Sequence, residues 1–392
     1  MPAGRFRFDL PRPARMGTAH SRRFAATIAL ALACCLGQAG WAKGPPADPR
    51  AEALITELGI DAATTPSAAL PGWRVPTRVV VSRASPAVLE RLQAAAPGVE
   101  VVVAQPGEAG KALLSKAQVA IGLCDEATLS AAPSLHWIQT WWVGVEDCVG
   151  VPGLAERGIV LTNTQRTSAI PIAEHAIAMV MALARGLPAY ARKQQAHDWS
   201  PRPEGVRVME LHERTLLVVG LGGIGTEVAR RAHGLGMRVI ATRNSSREGP
   251  DFVAKVGLSD ELHALAAEAD VIVSAVPLTP ATTGLFDATF FAAAKPGALF
   301  LNVGRGGSVV TDDLVAALRS GQIGGAGLDV TEPEPLPAGH PLWSLANVVI
   351  TPHVAATSDA QTERYLLLVT ENLRRYVAGE PLLNVVDIAR GY

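Results

Sequence analysis

Three ionisable residues in the second half of the chain carry the chemistry. Arg305 lies in Asn302-Val303-Gly304-Arg305-Gly306-Gly307, directly after an apolar run. Glu334 follows 29 residues on, in Gly327-Leu328-Asp329-Val330-Thr331-Glu332-Pro333-Glu334-Pro335, and His353 comes 19 residues later in Thr351-Pro352-His353. A guanidinium makes a planar, two-pronged contact with a carboxylate. An imidazole exchanges protons near neutral pH. A carboxylate beside it orients the ring and favours its charged form. Singly, these residues read as a surface charge, a loop carboxylate and a capping histidine. Jointly, off three strand ends, those plainer readings are hard to sustain.

The elements that must position them begin at Leu217–Gly225, LVVGLGGIG, with Ile224–Gly234 reading as a helix. Gly220, Gly222 and Gly225 give the spacing G-x-G-x-x-G. The first glycine permits a tight turn, the second a close approach of backbone to pyrophosphate, and the third close helix–strand packing. With Gly223 and Ile224 they put a helix N-terminus against phosphates. Alone the motif is weak, and the strand series around it gives it weight. Thr215–Gly220, Arg238–Thr242, Val271–Val276, Leu299–Val303, Gly327–Val330 and Val348–Thr351 read as six strands. An earlier series comprises Arg78–Val81, Val99–Ala104, Val119–Leu123, Trp137–Val143 and Ile159–Thr162. Helical segments alternate with both, which predicts an α/β fold of two doubly wound parallel-sheet domains. One is a flavodoxin-like substrate domain over 77–168 and 358–392. The other is a Rossmann NAD(P)-binding domain over 169–357. Ile172–Arg192 reads as one long helix crossing between them, and Gln361–Val377 as a helix crossing back.

The strand at Arg238–Thr242 runs into Arg243-Asn244-Ser245-Ser246-Arg247, and the first acidic residue after it is Glu248. An NAD site wants a carboxylate here for the ribose 2′-hydroxyl, whereas arginine suits the 2′-phosphate of NADP. Arg243, Ser245 and Arg247 therefore predict NADP, with NAD possible. Reducing a 2-keto acid needs a cation for the carboxylate and carbonyl, a hydride, and a proton donor for the oxygen. Arg305, NADPH and His353 supply these, with Glu334 holding the imidazole.

These motifs resemble the D-isomer-specific 2-hydroxyacid dehydrogenases from about residue 78 onward. Trp142-Val143-Gly144-Val145-Glu146 is similar to that family's substrate loop, whose backbone N–H groups take the carboxylate. Ala173-Glu174-His175 resembles the start of its interdomain helix, and Val276-Pro277-Leu278-Thr279 the segment beside the cofactor. The resemblance implies a catalytic set of Arg305, Glu334 and His353, and a substrate site at Val143, Gly144, Val145 and Arg305. It adds Pro277, Val303, Gly304 and Asp329 to the cofactor site, Asp329 at the position associated with the nicotinamide carboxamide. It also implies a homodimer acting on small 2-keto or 2-hydroxy acids of the glyoxylate and hydroxypyruvate type. Trp141 and Trp142 depart from the smaller residues common there. Formate dehydrogenases of the superfamily carry glutamine where Glu334 stands. Phosphite oxidation uses a similar triad, and a dinucleotide-binding sensor or corepressor without turnover is the reading from another class.

The N-terminus reads as a leader. His20-Ser21-Arg22-Arg23 precedes the apolar run Phe24–Leu36, and Gly40-Trp41-Ala42 offers small residues for cleavage after Ala42. Residues 1–42 are thus expected to be a cleaved signal peptide, loosely of the twin-arginine type, and 43–76 an N-terminal extension. Export to the periplasm follows, or a cytoplasmic location if the leader is not used. Residues 1–42 hold six arginines and one aspartate, so the rest carries a formal net charge of −6, which argues against nucleic acid. No apolar run past the leader approaches the roughly 20 residues of a membrane helix. Cys124 and Cys148 each follow a strand-like run, so in an oxidising compartment they can pair. No metal is implied.

Overall fold

The computed structural model describes residues 44–201 and 207–391; the expected leader lies outside them. Two parallel sheets dominate. After the short β1 (Ala62–Pro66), the first sheet comprises β2 (Arg78–Val81), β3 (Glu100–Val103), β4 (Val119–Ile121), β5 (Trp137–Gln139) and β6 (Val160–Thr162). Its order β3-β2-β4-β5-β6 is that of a flavodoxin-like sheet. The second comprises β7 (Thr215–Val219), β8 (Arg238–Thr242), β9 (Lys255–Gly257), β10 (Val271–Ser274), β11 (Ala298–Asn302), β12 (Ile323–Leu328) and β13 (Val348–Ile350). The order β13-β12-β11-β10-β7-β8-β9 is that of a dinucleotide-binding sheet with one strand more than the six expected. β7, β10 and β11 are buried along their whole length, because helices cover both faces.

Three elements differ from expectation. The run Ile172–Arg192 is two helices, Ala169–Ala184 and Leu187–Gln195, bent by 70°. Gly186 breaks it at φ 67, and Pro188 starts the second helix. β12 begins at Ile323 rather than Gly327, since IGGAGL has three glycines and a single β-branched residue and so gives little strand signal. Its glycines let the helix Ala169–Ala184 come close: a Cβ on Gly327 would lie 3.0 Å from the Met179 sulfur. The third is β9, only three residues long and at the edge of the sheet.

The chain ends return to the first sheet. Val369, Leu373 and Tyr376 of the helix Gln361–Ala378 pack against Val79, Val81 and Trp137, and the Trp137 and Tyr376 rings stack at 4.8 Å. The extension folds onto this helix. Residues Pro49–Leu58 form a helix whose N-terminus is capped by the Asp48 carboxylate accepting from Arg50 N at 2.9 Å. Its Ala51 and Leu54 bury against Leu367, and β1 pairs antiparallel with β14 (Pro381–Leu383). Cys124 and Cys148 are disulfide-bonded with Cα atoms 5.4 Å apart, tying the end of β4 to the short helix Glu146–Val149.

At the root of β7, the buried Asp270 carboxylate accepts from Thr215 N at 3.0 Å and Lys295 Nζ at 2.8 Å, with Arg214 Nη1 at 3.3 Å. Burial pushes this carboxyl up, but those donors and charges outweigh it and hold it below the usual range. A depressed folded-state pKa gives stability that is present above the unfolded value and lost as pH falls through the folded one. Asp270→Asn should therefore cost about 1–3 kcal/mol at pH 7. In urea titrations the two proteins should converge as pH drops below about 4. A gap that persists undiminished into acid would mean that the charge plays no part.

Candidate active site

A cavity of about 890 Å³ lies at the carboxyl ends of both sheets. Gly220, Gly222, Gly223 and Ile224 line one wall. Gly220 turns at φ 95, and a Cβ on Gly225 would sit 2.1 Å from the Gly220 carbonyl oxygen, so the helix Gly223–Gly234 starts tight against β7. Its first-turn N–H groups have no intrahelical acceptor and face an open volume, because a Cβ on Gly222 would meet nothing within 4 Å. A pyrophosphate fits that cradle.

Arg243 and Ser245 line the cavity beyond this turn, next to Ser259 and Leu262. The Arg243 Nη1 donates to the Glu248 carbonyl at 3.0 Å, and no carboxylate lines this end of the cavity among the described residues. Arg247 is turned away. It pairs with Glu261 at 2.5 Å and is not part of the lining, so the expected cluster is Arg243 and Ser245 with Arg247 behind. The Leu258 N–H, then Arg247, hold the Glu261 carboxyl below its usual range.

The opposite end holds the triad. Arg305 follows β11, and its main-chain carbonyl is fixed by Asn302 Nδ2 at 2.9 Å and Ser308 Oγ at 2.7 Å. Its Nε donates to Glu146 Oε1 at 2.8 Å and its Nη1 to the Gly304 carbonyl at 2.8 Å. Glu146 belongs to the 142–146 loop of the first lobe, so this ion pair bridges the two lobes. Val143, Gly144 and Val145 line the cavity, with Asn163 Nδ2 donating to the Val143 carbonyl at 2.8 Å. Glycine at 144 leaves room for this ion pair: a Cβ there would lie 1.8 Å from Arg305 Nη2 and 2.5 Å from Glu146 Oε2, so those side chains would have to shift. Trp142 is half exposed on the cavity wall, while Trp141 packs with the core of the first lobe.

His353 Nδ1 lies 3.0 Å from Glu334 Oε2, and Glu334 Oε1 accepts from Thr331 N at 2.9 Å. With Nδ1–H given to the carboxylate, Nε2 carries a proton only in the imidazolium. Glu334 itself stands behind the ring, outside the cavity lining, whereas His353 lines it. The histidine backbone is left-handed at φ 54. Asp329 holds it there. Its carbonyl accepts the His353 N–H at 2.8 Å, Oδ1 accepts Val354 N at 2.9 Å and Thr351 Oγ1 at 2.6 Å, and Oδ2 accepts Ala355 N at 3.0 Å. His175 reaches the same cluster through Thr351 Oγ1 at 2.9 Å. Asp329 lines the cavity where the sequence puts it, but both of its oxygens already hold the histidine turn. Pro277, Val303 and Gly304 line the cavity between the two ends. Sequence reasoning missed Glu146 as the partner of Arg305. Its only signal was a carboxylate closing the loop Trp142–Glu146.

The family model described as D-isomer specific 2-hydroxyacid dehydrogenase, NAD binding domain, matches residues 177–355, which include the glycine turn and all three triad residues. Human glyoxylate reductase/hydroxypyruvate reductase is 37% identical over 263 residues, 66% of this chain and 79% of that protein. The structure of a D-isomer specific 2-hydroxyacid dehydrogenase from Xanthobacter autotrophicus Py2, in complex with NADPH and MES, superposes with a TM-score of 0.70. The two chains are 31% identical, with 81% of this chain and 100% of that one covered. An NADPH-dependent glyoxylate/hydroxypyruvate reductase from Sinorhizobium meliloti, in complex with NADP and sulfate, gives the same score, identity and coverage.

Gly144→Ala should displace the Arg305 guanidinium. Misplacing a substrate-binding group by about 1 Å costs on the order of 100-fold in kcat/KM. Steady-state kinetics with an unaltered thermal midpoint should show that loss; unchanged kcat/KM would mean that Arg305 moves aside freely.

Proposed function

Because the chain belongs to the D-isomer-specific 2-hydroxyacid dehydrogenase family, we propose that it is an NADPH-preferring reductase of glyoxylate, hydroxypyruvate or a similar small 2-keto acid. It is an NAD(P)-dependent oxidoreductase interconverting 2-keto and D-2-hydroxy acids. The observation that carries the finer reading is one cavity with the Glu334-backed His353 and Arg305 at one end and Arg243, without a carboxylate, at the other.

The bound nicotinamide supplies the hydride. Arg305, with Nε and Nη1 already engaged, offers Nη2 beside Gly144 to the substrate carboxylate and carbonyl. The backbone of Val143–Val145 closes on the same carboxylate. His353 delivers a proton from Nε2 to the carbonyl oxygen, and Glu334 keeps the ring in place and offsets the imidazolium charge. Arg243 and Ser245 take the 2′-phosphate, a charge-assisted contact that NADH cannot make.

We assign the protein to an exported, periplasmic location and to a homodimer. Supporting the first are the leader-like residues 1–42 and the Cys124–Cys148 bond, which suits an oxidising compartment. Supporting the second is the exposed apolar group Met181, Leu187, Tyr190 and Trp199 around the bent helix pair. Cell fractionation and sedimentation velocity test both: a cytoplasmic monomer would overturn them.

Purified protein should oxidise NADPH in the presence of one of these keto acids, with kcat/KM higher for NADPH than for NADH. Arg243→Ala should erase that preference. His353→Ala should lower kcat by about 10²–10⁴-fold. No turnover of any small 2-keto acid, with dinucleotide still bound, would replace this reading with that of a sensor.

A further inference from the structure

Arg166 has no place in the chemistry described so far, and three features set it apart. It stands in the turn that leads from β6 into the interdomain helix, with a left-handed backbone at φ 73 that side-chain-bearing residues seldom adopt. It lines the cavity on the wall that faces the glycine turn. Its side chain lies across the start of the dinucleotide helix: a Cβ on Gly223 would be 3.0 Å from Arg166 Cγ. The guanidinium is nonetheless aimed elsewhere. Its Nη1 donates at 3.2 Å to the carbonyl of Leu58, at the C-terminal end of the helix Pro49–Leu58, and no carboxylate pairs with it among the described residues.

We propose that Arg166 is a pyrophosphate ligand of the dinucleotide, held in reserve by the N-terminal extension through the Leu58 carbonyl until cofactor binds. The geometry supplies the reason. The free N–H groups of the glycine turn place an anion beside Gly223, and the Arg166 stem already spans that residue. Rotation of the outer side-chain torsions would turn the guanidinium from the Leu58 carbonyl toward that turn. A guanidinium–phosphate contact sets two opposite full charges together, where the Leu58 contact offers only a carbonyl dipole, so binding draws the side chain over. The strained backbone fits this role, because it is what projects the stem across Gly223. Arg166 also immediately precedes the helix that crosses between the lobes, with its carbonyl accepting Ala169 N at 3.0 Å. Phosphate binding would thereby fix the segment that joins the two lobes. The residue belongs to the first lobe, so this contact would join the cofactor to the lobe opposite its own sheet.

This proposal rests on the dinucleotide reading, and the test separates the two. Arg166→Gly removes the cation and relieves the left-handed strain, so the fold should hold, with an unchanged or higher thermal midpoint. Affinities come from equilibrium titration of the full-length protein, by fluorescence for NADPH and by displacement of NADPH for ADP-ribose and adenosine 2′-monophosphate. Only the first two carry a pyrophosphate. The variant should bind NADPH and ADP-ribose about tenfold more weakly with a shallower salt dependence, and the 2′-monophosphate as the wild type does. Equal ADP-ribose affinity in the two proteins, or an equal loss for the 2′-monophosphate, would overturn the assignment. A wild type that binds neither NADPH nor NADH would overturn the cofactor reading, and this one with it.

Discussion

The site depends first on a buried carboxylate that cannot be left unsatisfied. Asp329, 3% exposed, sits at the end of β12, where its two oxygens and its carbonyl together accept one hydroxyl and three backbone N–H groups from residues 351–355. A charge taken out of water costs several kcal/mol unless it is paired or hydrogen-bonded. The turn carrying His353 therefore has one arrangement that meets the demand, and it includes a left-handed histidine costing on the order of 1–3 kcal/mol. Strain at His353 is thus held in place by the carboxylate beneath it. Glu334 then needs only to orient the ring, which the surrounding backbone has already aimed.

The second constraint is that the residues lining the cavity come from both lobes. Parallel strands send their loops out at one edge, and both sheets present that edge to the same cavity. Across it, Arg305 and Glu146 make the ion pair at 2.8 Å, each about 30% exposed. In isolation such a half-solvated pair contributes little to stability. Its consequence is positional: the second-lobe cation is registered against the first-lobe loop, and Gly144 leaves the space for that approach. The Cys124–Cys148 bond lies directly behind this loop and limits how far its helix Glu146–Val149 can move from β4.

Much of this was legible in the residues because the signals are local. Gly220, Gly222 and Gly225 announce a turn through backbone sterics alone, and Arg305 and His353 each follow a recognisable apolar strand. The fold class followed from the alternation of such runs. What escaped was set by distant partners. Glu146 and Arg305 are 159 positions apart in the chain, and nothing in either segment names the other. Asp329 shows its line to the histidine turn only once β12 and β13 are side by side. The break at Gly186 was hidden by an apolar periodicity that continues on both sides, and β12 by its glycines. Arg247 illustrates the opposite error: a local cluster of cations suggested a shared ligand, and Glu261 claims one of them.

The extension at 44–76 shows how the ends of the chain bear on the middle. A helix of ten residues is not stable alone in water, so Pro49–Leu58 is ordered by what it packs on. That partner is the helix Gln361–Ala378, through Leu367 and through the Arg50–Glu363 pair. The same C-terminal helix turns Tyr365 and Gln361 toward the cavity, where Tyr365 Oη and Ser168 Oγ are 2.5 Å apart at the entry to the interdomain helix. One face of this helix therefore receives the extension while its first turns contact the segment between the lobes. Anything that repositions residues 166–168 meets both ends of the chain at once. The extension is thus a structural part of the first lobe, packed on the same helix that contacts the segment between the lobes.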